Sequence, residues 1–177
     1  MKYYLEVKAK PSEDLAPEII ISQAFSICHL ELVRLKSDDV GVSFPQADKS
    51  LGGVMRIHGG KAALESISRC CASLLDYCRI SPCREVPSDC DWRLVKRVQP
   101  TVSAAKIRRL VKRGSITEQD AEERLNSPAT LSYPYIQLRS RTSGQNFRIF
   151  VSQESIDSYD DFSTFNSYGL GGSVPWF

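Results

Sequence analysis

The first ninety residues alternate between strand and helix patterns, and this order restricts the fold more than any other feature of the chain. Residues 2–9 alternate between apolar and polar side chains, which predicts a half-buried strand. Pro17 is placed where the first turn of a helix tolerates a proline, and apolar residues from Ile20 to Leu35 follow at helical spacing. The sequence therefore predicts a strand and then a helix of about five turns.

Two short strands, a second helix and a further extended segment complete this pattern. The strands are predicted around Val40–Phe44 and Val54–His58. The second helix is predicted over Lys61–Cys78, and an extended segment before or around Arg93–Gln99. The order β-α-β-β-α-β is that of the ferredoxin-like sandwich, so we expect an α+β fold. Because that sandwich hosts many chemistries, the fold alone does not indicate a function.

The second half, which we expect to begin near Asp91, has the pattern of a smaller α/β region. Ser103 is a good N-cap and Gly114 a good C-terminal stop, so Ala104–Arg113 is predicted as a helix. A further helical stretch opens at Thr117 with acidic residues in its first turn, as the helix dipole prefers. We therefore expect two domains, residues 1–90 and 91–177.

The last forty-odd residues predict a hairpin and a docked tail. The segments YIQLRS and QNFRIFVS have strand composition and flank RTSG, which is typical of a β-hairpin. The glycine-rich tail ends on Trp176 and Phe177, whose bulk we expect to dock onto the body of the protein.

Composition indicates an ordinary folded protein. The chain has 177 residues, of which 42% are hydrophobic, enough to fill a core. No apolar run approaches the roughly 20 residues of a membrane-spanning helix, and the first residues lack the apolar block of a secretory signal, so we expect a cytoplasmic protein. Six cysteines are present without a CxxC pair, which favours buried free thiols over disulfides or zinc. We expect no cofactor.

Positive charge is concentrated in one segment. Residues 92–113 contain eight lysines and arginines and no acid, whereas the whole chain has a net charge of +2, so the remainder carries 2 − 8 = −6. A basic stripe on an acidic body is typical of a docking site for a phosphate backbone.

The predicted helix at 104–113 separates apolar from cationic residues. Ile107, Leu110 and Val111 share one face. The other face carries five cations with no interleaved acid to offset their repulsion: Lys106, Arg108, Arg109, Lys112 and Arg113. This arrangement predicts nucleic-acid contact without distinguishing RNA from DNA; the alternative is a solvated helix face.

The chain contains two histidines, His29 and His58. Few acids cluster at metal-ligand spacing, so if the protein cleaves nucleic acid we expect it to do so without a metal. Such cleavage suits RNA, because the 2′-hydroxyl can attack the phosphorus once a base such as histidine removes its proton. His29 lies at the flank of an apolar helical stripe and is either that base or a structural residue. His58 is expected to be a polar surface or packing residue.

Seven blocks in order along the whole chain resemble one family, the type I-F CRISPR repeat-RNA endoribonucleases, which process precursor CRISPR RNA. The blocks are YYLEVKAKP, AFSICHLEL, GVSFP, MRIHG, RVQ before the basic helix, LRSRTSGQNFRIF and YGLGGSVPWF. The family's basic helix is often almost pure arginine, whereas this one contains Lys106 and Lys112, which contact phosphate as point charges.

The resemblance implies roles for residues that match the family's motifs. His29 matches the catalytic general base, Ser140 the serine that holds the attacking 2′-hydroxyl, and Tyr168 the tyrosine that orients the histidine. Taken singly, Ser140 could equally be a strand hydroxyl and Tyr168 a core aromatic.

The resemblance also implies RNA contacts. Arg97 and Gln99 match residues that read base edges near the foot of the repeat hairpin, and the basic helix matches one that lies in the hairpin's major groove. Phe147 matches an aromatic that stacks on a base next to the cut, with Thr142 and Ser143 on a phosphate-contacting turn. The alternatives are a solvated Gln99 and a core Phe147.

The implied function is a metal-independent endoribonuclease that cuts a CRISPR repeat transcript at the 3′ base of its stem-loop. It would leave a 2′,3′-cyclic phosphate and a 5′-hydroxyl, and retain the mature guide RNA within the type I-F interference complex. Two alternatives remain at this point: a non-catalytic subunit that binds the hairpin, and a DNA-binding regulator that inserts the basic helix into a B-form major groove.

Overall fold

A computed structural model describes residues 1–99, 104–126, 132–140, 144–159 and 164–177. Within these ranges the fold is α+β, with two antiparallel sheets and four α-helices, as the sequence predicted at that level. The chain forms two compact units, one of residues Met1–Val98 with Tyr133–Phe177 and one of Gln99–Ser132. Compactness does not test where an independently folding domain ends, so the predicted boundary at residue 90 stays a prediction.

The first sheet of the larger unit contains five strands: β1 (Tyr3–Ala9), β2 (Gly41–Ser43), β3 (Val54–Gly59), β4 (Cys78–Ile80) and β5 (Arg84–Glu85). Their order is β2-β3-β1-β4, with β5 also pairing with β1. Two helices, α1 (Pro17–Leu35) and α2 (Lys61–Cys71), contact β1, β3 and each other. The predicted first strand and five-turn helix are confirmed, because the alternating and helical apolar patterns both lead into one buried core.

The predicted length of the second helix was wrong. The α-helix ends at Cys71, a short 3-10 turn covers Ala72–Leu74, and Cys78 begins β4. Cys78 pairs with Ala9 of β1 and is fully buried. Pairing with the sheet buries this part of the chain, whereas a continued helix would leave the edge of β1 open.

The second sheet of the same unit has four antiparallel strands, β6 (Asp91–Val98), β7 (Tyr135–Arg139), β8 (Asn146–Ile156) and β9 (Gly172–Trp176), in the order β7-β8-β6-β9. The predicted hairpin is confirmed as β7 and β8, which pair from Tyr135 with Phe150 to Arg139 with Asn146. α1 contacts β7, so this helix packs against both sheets.

The predicted docking of the C-terminal tail is confirmed. β9 pairs with β6, and the Trp176 ring lies 3.9 Å from the Arg93 guanidinium. The Phe177 ring lies 4.0 Å from the guanidinium of Arg56 and meets Tyr4 edge-on, with 4.8 Å between ring centres. Cationic and aromatic partners thus hold the tail on both sheets.

The smaller unit contains two helices in contact, α3 (Ala104–Lys112) and α4 (Glu118–Asn126). Ile107 is buried, as the apolar face of the predicted basic helix requires. Gly114 has φ +67° and follows the end of α3, which confirms the predicted stop, whereas the predicted cap Ser103 lies outside the described residues. Thr117 caps α4: its hydroxyl accepts from the Asp120 N–H at 3.1 Å.

All six cysteines are free thiols. Cys28, Cys71 and Cys78 are buried as predicted, and burial raises the pKa of the Cys71 thiol to about 12. Cys70 is exposed, so its predicted burial was wrong; it is adjacent to Cys71 on α2 and therefore points about 100° away from it.

In the ranges described, no three His, Cys, Asp or Glu side chains group as a metal site would require. Nor does any helix there have the length and apolar composition to cross a membrane.

A buried carboxylate fastens α1 to α2. Glu31 is 5% exposed and accepts two bonds from Arg34, at 2.8 Å from Nε and 2.6 Å from Nη2. Ser66 of α2 donates a third at 2.6 Å. The Arg34 and Ser66 hydrogen bonds lower the pKa of Glu31 to about 2. Because α1 also carries His29, this contact fixes the helix that supplies the candidate site.

We expect Glu31→Gln to lower the free energy of unfolding at pH 7 by about 1–3 kcal/mol, because it removes charge-assisted hydrogen bonds. The folded pKa lies below the ordinary value, so the stabilisation is present above about pH 4.5 and is lost as the pH falls toward 2. Urea denaturation between pH 7 and pH 2 measures this. The exposed Glu13→Gln is the control. A difference that stays constant across that range would contradict the assignment.

Candidate active site

His29 is half-buried on α1, and a hydrogen bond determines which of its nitrogens carries the proton. Its Nδ1 lies 2.6 Å from the carbonyl oxygen of Ser167. A carbonyl oxygen can only accept, so Nδ1–H is the donor. In the neutral ring Nε2 then holds the lone pair and can accept a proton. The geometry thus presents a base.

Tyr168 stacks directly on this imidazole. The two ring centres are 4.0 Å apart with an interplanar angle of 13°. On the helix, Phe25 is parallel to the Tyr168 ring, at 6.1 Å between centres. The tyrosine therefore lies between the core and the histidine, and together with Ser167 it fixes the plane of the imidazole.

The turn that carries Ser167 and Tyr168 is fixed by one hydrogen bond within the turn and one to β2. The Asn166 side chain accepts from the Tyr168 N–H at 2.9 Å, and the Gly169 carbonyl accepts from the Val42 N–H at 2.9 Å. Gly169 has φ +70°, and an added Cβ would come within 2.7 Å of the Val42 side chain. This position therefore requires glycine. Asn166 and Gly169 were not predicted to have a role, although Asn-Ser-Tyr-Gly is a turn signal.

Ser140 directly follows β7, the strand that α1 contacts. Its N–H donates to the Gln145 carbonyl at 2.8 Å, so the hairpin ladder continues to this residue. Ile136 and Leu138 are buried on one face of β7, and strand alternation places Ser140 on that same face. The structure brings His29 and Tyr168 into contact and places Ser140 at the end of the adjoining strand. Its role stays a prediction.

His58 has a different environment from His29. It is fully buried on β3, with Nε2 3.0 Å from the Ser43 hydroxyl. Burial, and secondarily the nearby Arg56, lower the pKa of His58 to about 3. The possibility that it is a surface residue was wrong, because β3 is covered on both faces; it is a packing residue. His29 is thus the histidine that solvent reaches.

The residues that the sequence assigned to RNA contact fall in both units. Arg97 is exposed on β6, and Phe147 is half-buried on β8 against the core. Gln99 is exposed at the start of the smaller unit. All five predicted cations of the basic helix are exposed: Lys106, Arg108, Arg109, Lys112 and Arg113. Thr142 and Ser143 lie outside the described residues.

Comparison with known proteins assigns the family. A family model described as "CRISPR-associated protein (Cas_Csy4)" matches residues 4–177. The chain belongs to this family. A curated relative from Escherichia coli (strain UTI89 / UPEC), named CRISPR-associated endonuclease Cas6/Csy4, is 34% identical over 184 residues, covering the full length of both chains. A protein of the same name from Pseudomonas aeruginosa (strain UCBPP-PA14) is 32% identical over 187 residues, again over the full length of both.

Membership of the Cas_Csy4 family confirms the resemblance drawn from the seven sequence blocks. It does not by itself assign a role to any single side chain. The role proposed for His29 is argued instead from its contacts with Ser167 and Tyr168 in this structure.

We expect Tyr168→Leu to shift the His29 Cε1 proton resonance downfield, because the shielding from the stacked ring is lost. The free energy of unfolding should fall by about 1 kcal/mol, the usual worth of an aromatic pair. With two histidines in the chain, proton NMR resolves both. His58, which meets Phe177 rather than Tyr168, is the internal control, and Tyr168→Phe should leave both resonances in place. An unmoved His29 signal in Tyr168→Leu would contradict the stacking.

Proposed function

We propose that this protein is an endoribonuclease that cleaves a CRISPR repeat transcript at the 3′ base of its stem-loop. One observation carries the proposal: His29 donates through Nδ1 to a backbone carbonyl, which leaves Nε2 as a proton acceptor on a half-exposed ring. The names of the two relatives, both CRISPR-associated endonucleases, support the reaction class.

In the proposed reaction, Nε2 of His29 removes the proton of the 2′-hydroxyl immediately upstream of the cut. The 2′-oxygen attacks the adjacent phosphorus and the bond to the downstream 5′-oxygen breaks. That oxygen takes up a proton from water, and the His29 imidazolium returns its proton to the solvent. The products are a 2′,3′-cyclic phosphate and a 5′-hydroxyl. The nucleophile belongs to the substrate, so the chemistry needs a positioned base and no metal-bound water.

Two side chains have supporting roles in this proposal. The Ser140 hydroxyl holds the attacking 2′-hydroxyl, and the stack of Tyr168 keeps the imidazole in its plane. Tyr168 acts through His29 and is therefore a positioning residue.

RNA binding is proposed for the basic helix and the residues before it. α3 would lie in the major groove of the hairpin, which a short stem with an open end makes accessible despite the narrow groove of A-form RNA. Arg97 and Gln99 would read base edges at the foot of the stem. Phe147 would stack on a base beside the cut, with Thr142 and Ser143 at the adjoining phosphate.

The proposal includes a ferredoxin-like domain over residues 1–90 and an RNA-binding region over 91–177. The strand order β2-β3-β1-β4 with two helices supports the first part. We further propose that the protein acts in the cytoplasm and keeps its product as a subunit of the type I-F interference complex. The first of these proposals rests on the apolar pattern of the sequence, and the second on the family resemblance.

His29→Ala tests the reaction. We expect the cleavage rate to fall by about 10²–10⁴, the usual contribution of a general base, while affinity for the repeat hairpin is unchanged. Gel assays of single-turnover cleavage and fluorescence polarisation measure the two quantities. His58→Gln is the matched control, because this histidine is buried away from solvent and should retain cleavage if folded.

A modified substrate and a metal chelator provide two further tests of the proposed reaction. RNA with a 2′-deoxy nucleotide immediately upstream of the cut should bind and remain uncut, and cleavage of ordinary RNA should survive EDTA. Cleavage of the deoxy substrate or inactivation by EDTA would contradict the mechanism. Wild-type protein that binds the hairpin but never cuts it would instead be a non-catalytic binder.

Replacing the four cations of α3 and the adjacent Arg113 by glutamine should flatten the plot of log affinity against log salt by at most about 0.9 for each phosphate that these residues no longer neutralise. The control replaces five exposed residues of the same types elsewhere: Lys8, Lys61, Arg69, Arg79 and Arg84. An equal flattening in the control would show that the effect is net charge alone. Equal competition by duplex DNA of the same charge would favour a DNA-binding regulator.

A further inference from the structure

The β-turn that carries Tyr168 presents one particular peptide group to the candidate base. The Gly169 N–H donates to the Asn166 carbonyl at 2.8 Å, which closes the turn with Ser167 and Tyr168 as its two central residues. The carbonyl of the peptide between these two residues accepts from His29 Nδ1–H at 2.6 Å. The orientation of this central peptide therefore decides whether the imidazole has its hydrogen-bond partner.

A β-turn can hold its central peptide in two orientations. Between type I and type II turns, the ψ angle of the first central residue and the φ angle of the second both change by about 150–170°, so the peptide between them is turned over. Tyr168 has a negative φ, as the type I orientation requires. In the opposite orientation the Ser167 carbonyl would point away from His29, and the hydrogen bond to Nδ1 would be lost.

Packing fixes the two ends of the turn but not its first half. Before the turn, Phe165 is buried and donates its N–H to the Asp38 carbonyl at 3.1 Å. After the turn, Leu170 is fully buried. Asn166 and Ser167 are both exposed, so the core does not restrain the carbonyl side of the central peptide. A different interaction must hold that carbonyl in place.

The Asn166 side chain supplies this restraint. Its Oδ1 accepts from the Tyr168 N–H at 2.9 Å and from the Leu170 N–H at 3.3 Å. An asparagine side chain that bonds the N–H two residues further on suits the first position of a type I turn. The Tyr168 N–H and the Ser167 carbonyl belong to the same peptide group. A hydrogen bond at each end therefore orients this group, and each bond polarises it so that the other is strengthened.

We propose that Asn166 is a positioning residue for His29. Because it holds the Tyr168 N–H, it keeps the Ser167 carbonyl directed at Nδ1, and this carbonyl selects the imidazole tautomer whose Nε2 accepts a proton. Without the Asn166 oxygen the central peptide can turn, and the neutral ring then also populates the tautomer with Nε2–H, which cannot act as a base. The consequence for cleavage rests on the proposed function, whereas the tautomer is a property of the protein alone.

The imidazole tautomer is the first measurement, by two-bond ¹H–¹⁵N correlation NMR of the RNA-free protein at pH 8.5. In the wild-type protein, His29 Nδ1 should show the shift of a protonated nitrogen and Nε2 that of an unprotonated one. In Asn166→Ala the two shifts should approach each other, because the tautomers exchange. Asn166→Asp keeps the accepting oxygen and should show the wild-type pattern. His58, whose Nε2 lies 3.0 Å from the Ser43 hydroxyl, is the internal control and should be unchanged in both variants.

Cleavage of the repeat hairpin is the second measurement. We expect the single-turnover rate of Asn166→Ala to fall about three- to tenfold, the usual worth of one hydrogen bond, while affinity for the hairpin is unchanged. Asn166→Asp should restore the rate. The matched control is Gln46→Ala, because Gln46 is also an exposed amide that accepts from a loop backbone N–H, that of Gly53 at 3.1 Å. It should keep both the rate and the tautomer.

The outcomes separate this inference from the proposed function. A wild-type tautomer in Asn166→Ala, or losses in Asn166→Asp as large as those in Asn166→Ala, would overturn the role of Asn166 and leave the proposed reaction intact. Wild-type protein that has the expected tautomer but leaves the repeat hairpin uncut would overturn the proposed function, and the NMR comparison would still decide the role of Asn166. Should Asn166→Ala fail to fold, Asn166→Ser takes its place: a serine makes this turn bond more weakly, so the two shifts should move by less, and no movement would overturn the inference.

Discussion

The candidate site depends on one hydrogen bond between parts of the chain that are 138 residues apart, His29 Nδ1–H to the Ser167 carbonyl. Without it, the imidazole of a half-exposed helical histidine could adopt either tautomer and several rotamers. The bond chooses the tautomer whose Nε2 accepts, and the Tyr168 ring excludes the other orientations on one side. Ser167 and Tyr168, two neighbouring residues of one turn, thereby determine which nitrogen of the neutral imidazole carries the proton and how the ring is oriented.

Much of the larger unit serves to bring that turn to α1. β9 follows the turn and pairs with β6, while the Gly169 carbonyl binds the backbone of β2 in the other sheet. The turn is thus anchored to both sheets. Within the turn, the Asn166 side chain accepts a hydrogen bond from the Tyr168 N–H. The helix that carries His29, α1, is fastened to α2 through Glu31 and Ser66. Both partners of the His29 hydrogen bond are therefore held in place by the fold.

Local patterns predicted most of the elements but not the contacts that make the site. The alternation in residues 2–9 and the helical spacing from Pro17 each depend on neighbours in sequence, and both were confirmed. The end of α2 was missed because Cys78 is placed by pairing with Ala9. For His58 the sequence left a surface and a packing position open, and the choice between them depends on its neighbours in β1 and β2 and on the Phe177 ring. Tyr168 was identified through family motifs alone, since no spacing rule connects a helix with a turn so distant in sequence.

The run of eight cations between residues 92 and 113 is also divided by the fold in a way that composition does not reveal. Lys96 pairs with Glu154 across β6 and β8 at 2.8 Å, and Arg93 stacks on Trp176, so these two charges stabilise the second sheet. The exposed cations of α3 belong to a different compact unit from His29. The proposed RNA contact of α3 and the proposed proton removal by His29 therefore rest on different sets of residues, so variants of one set test one proposal at a time.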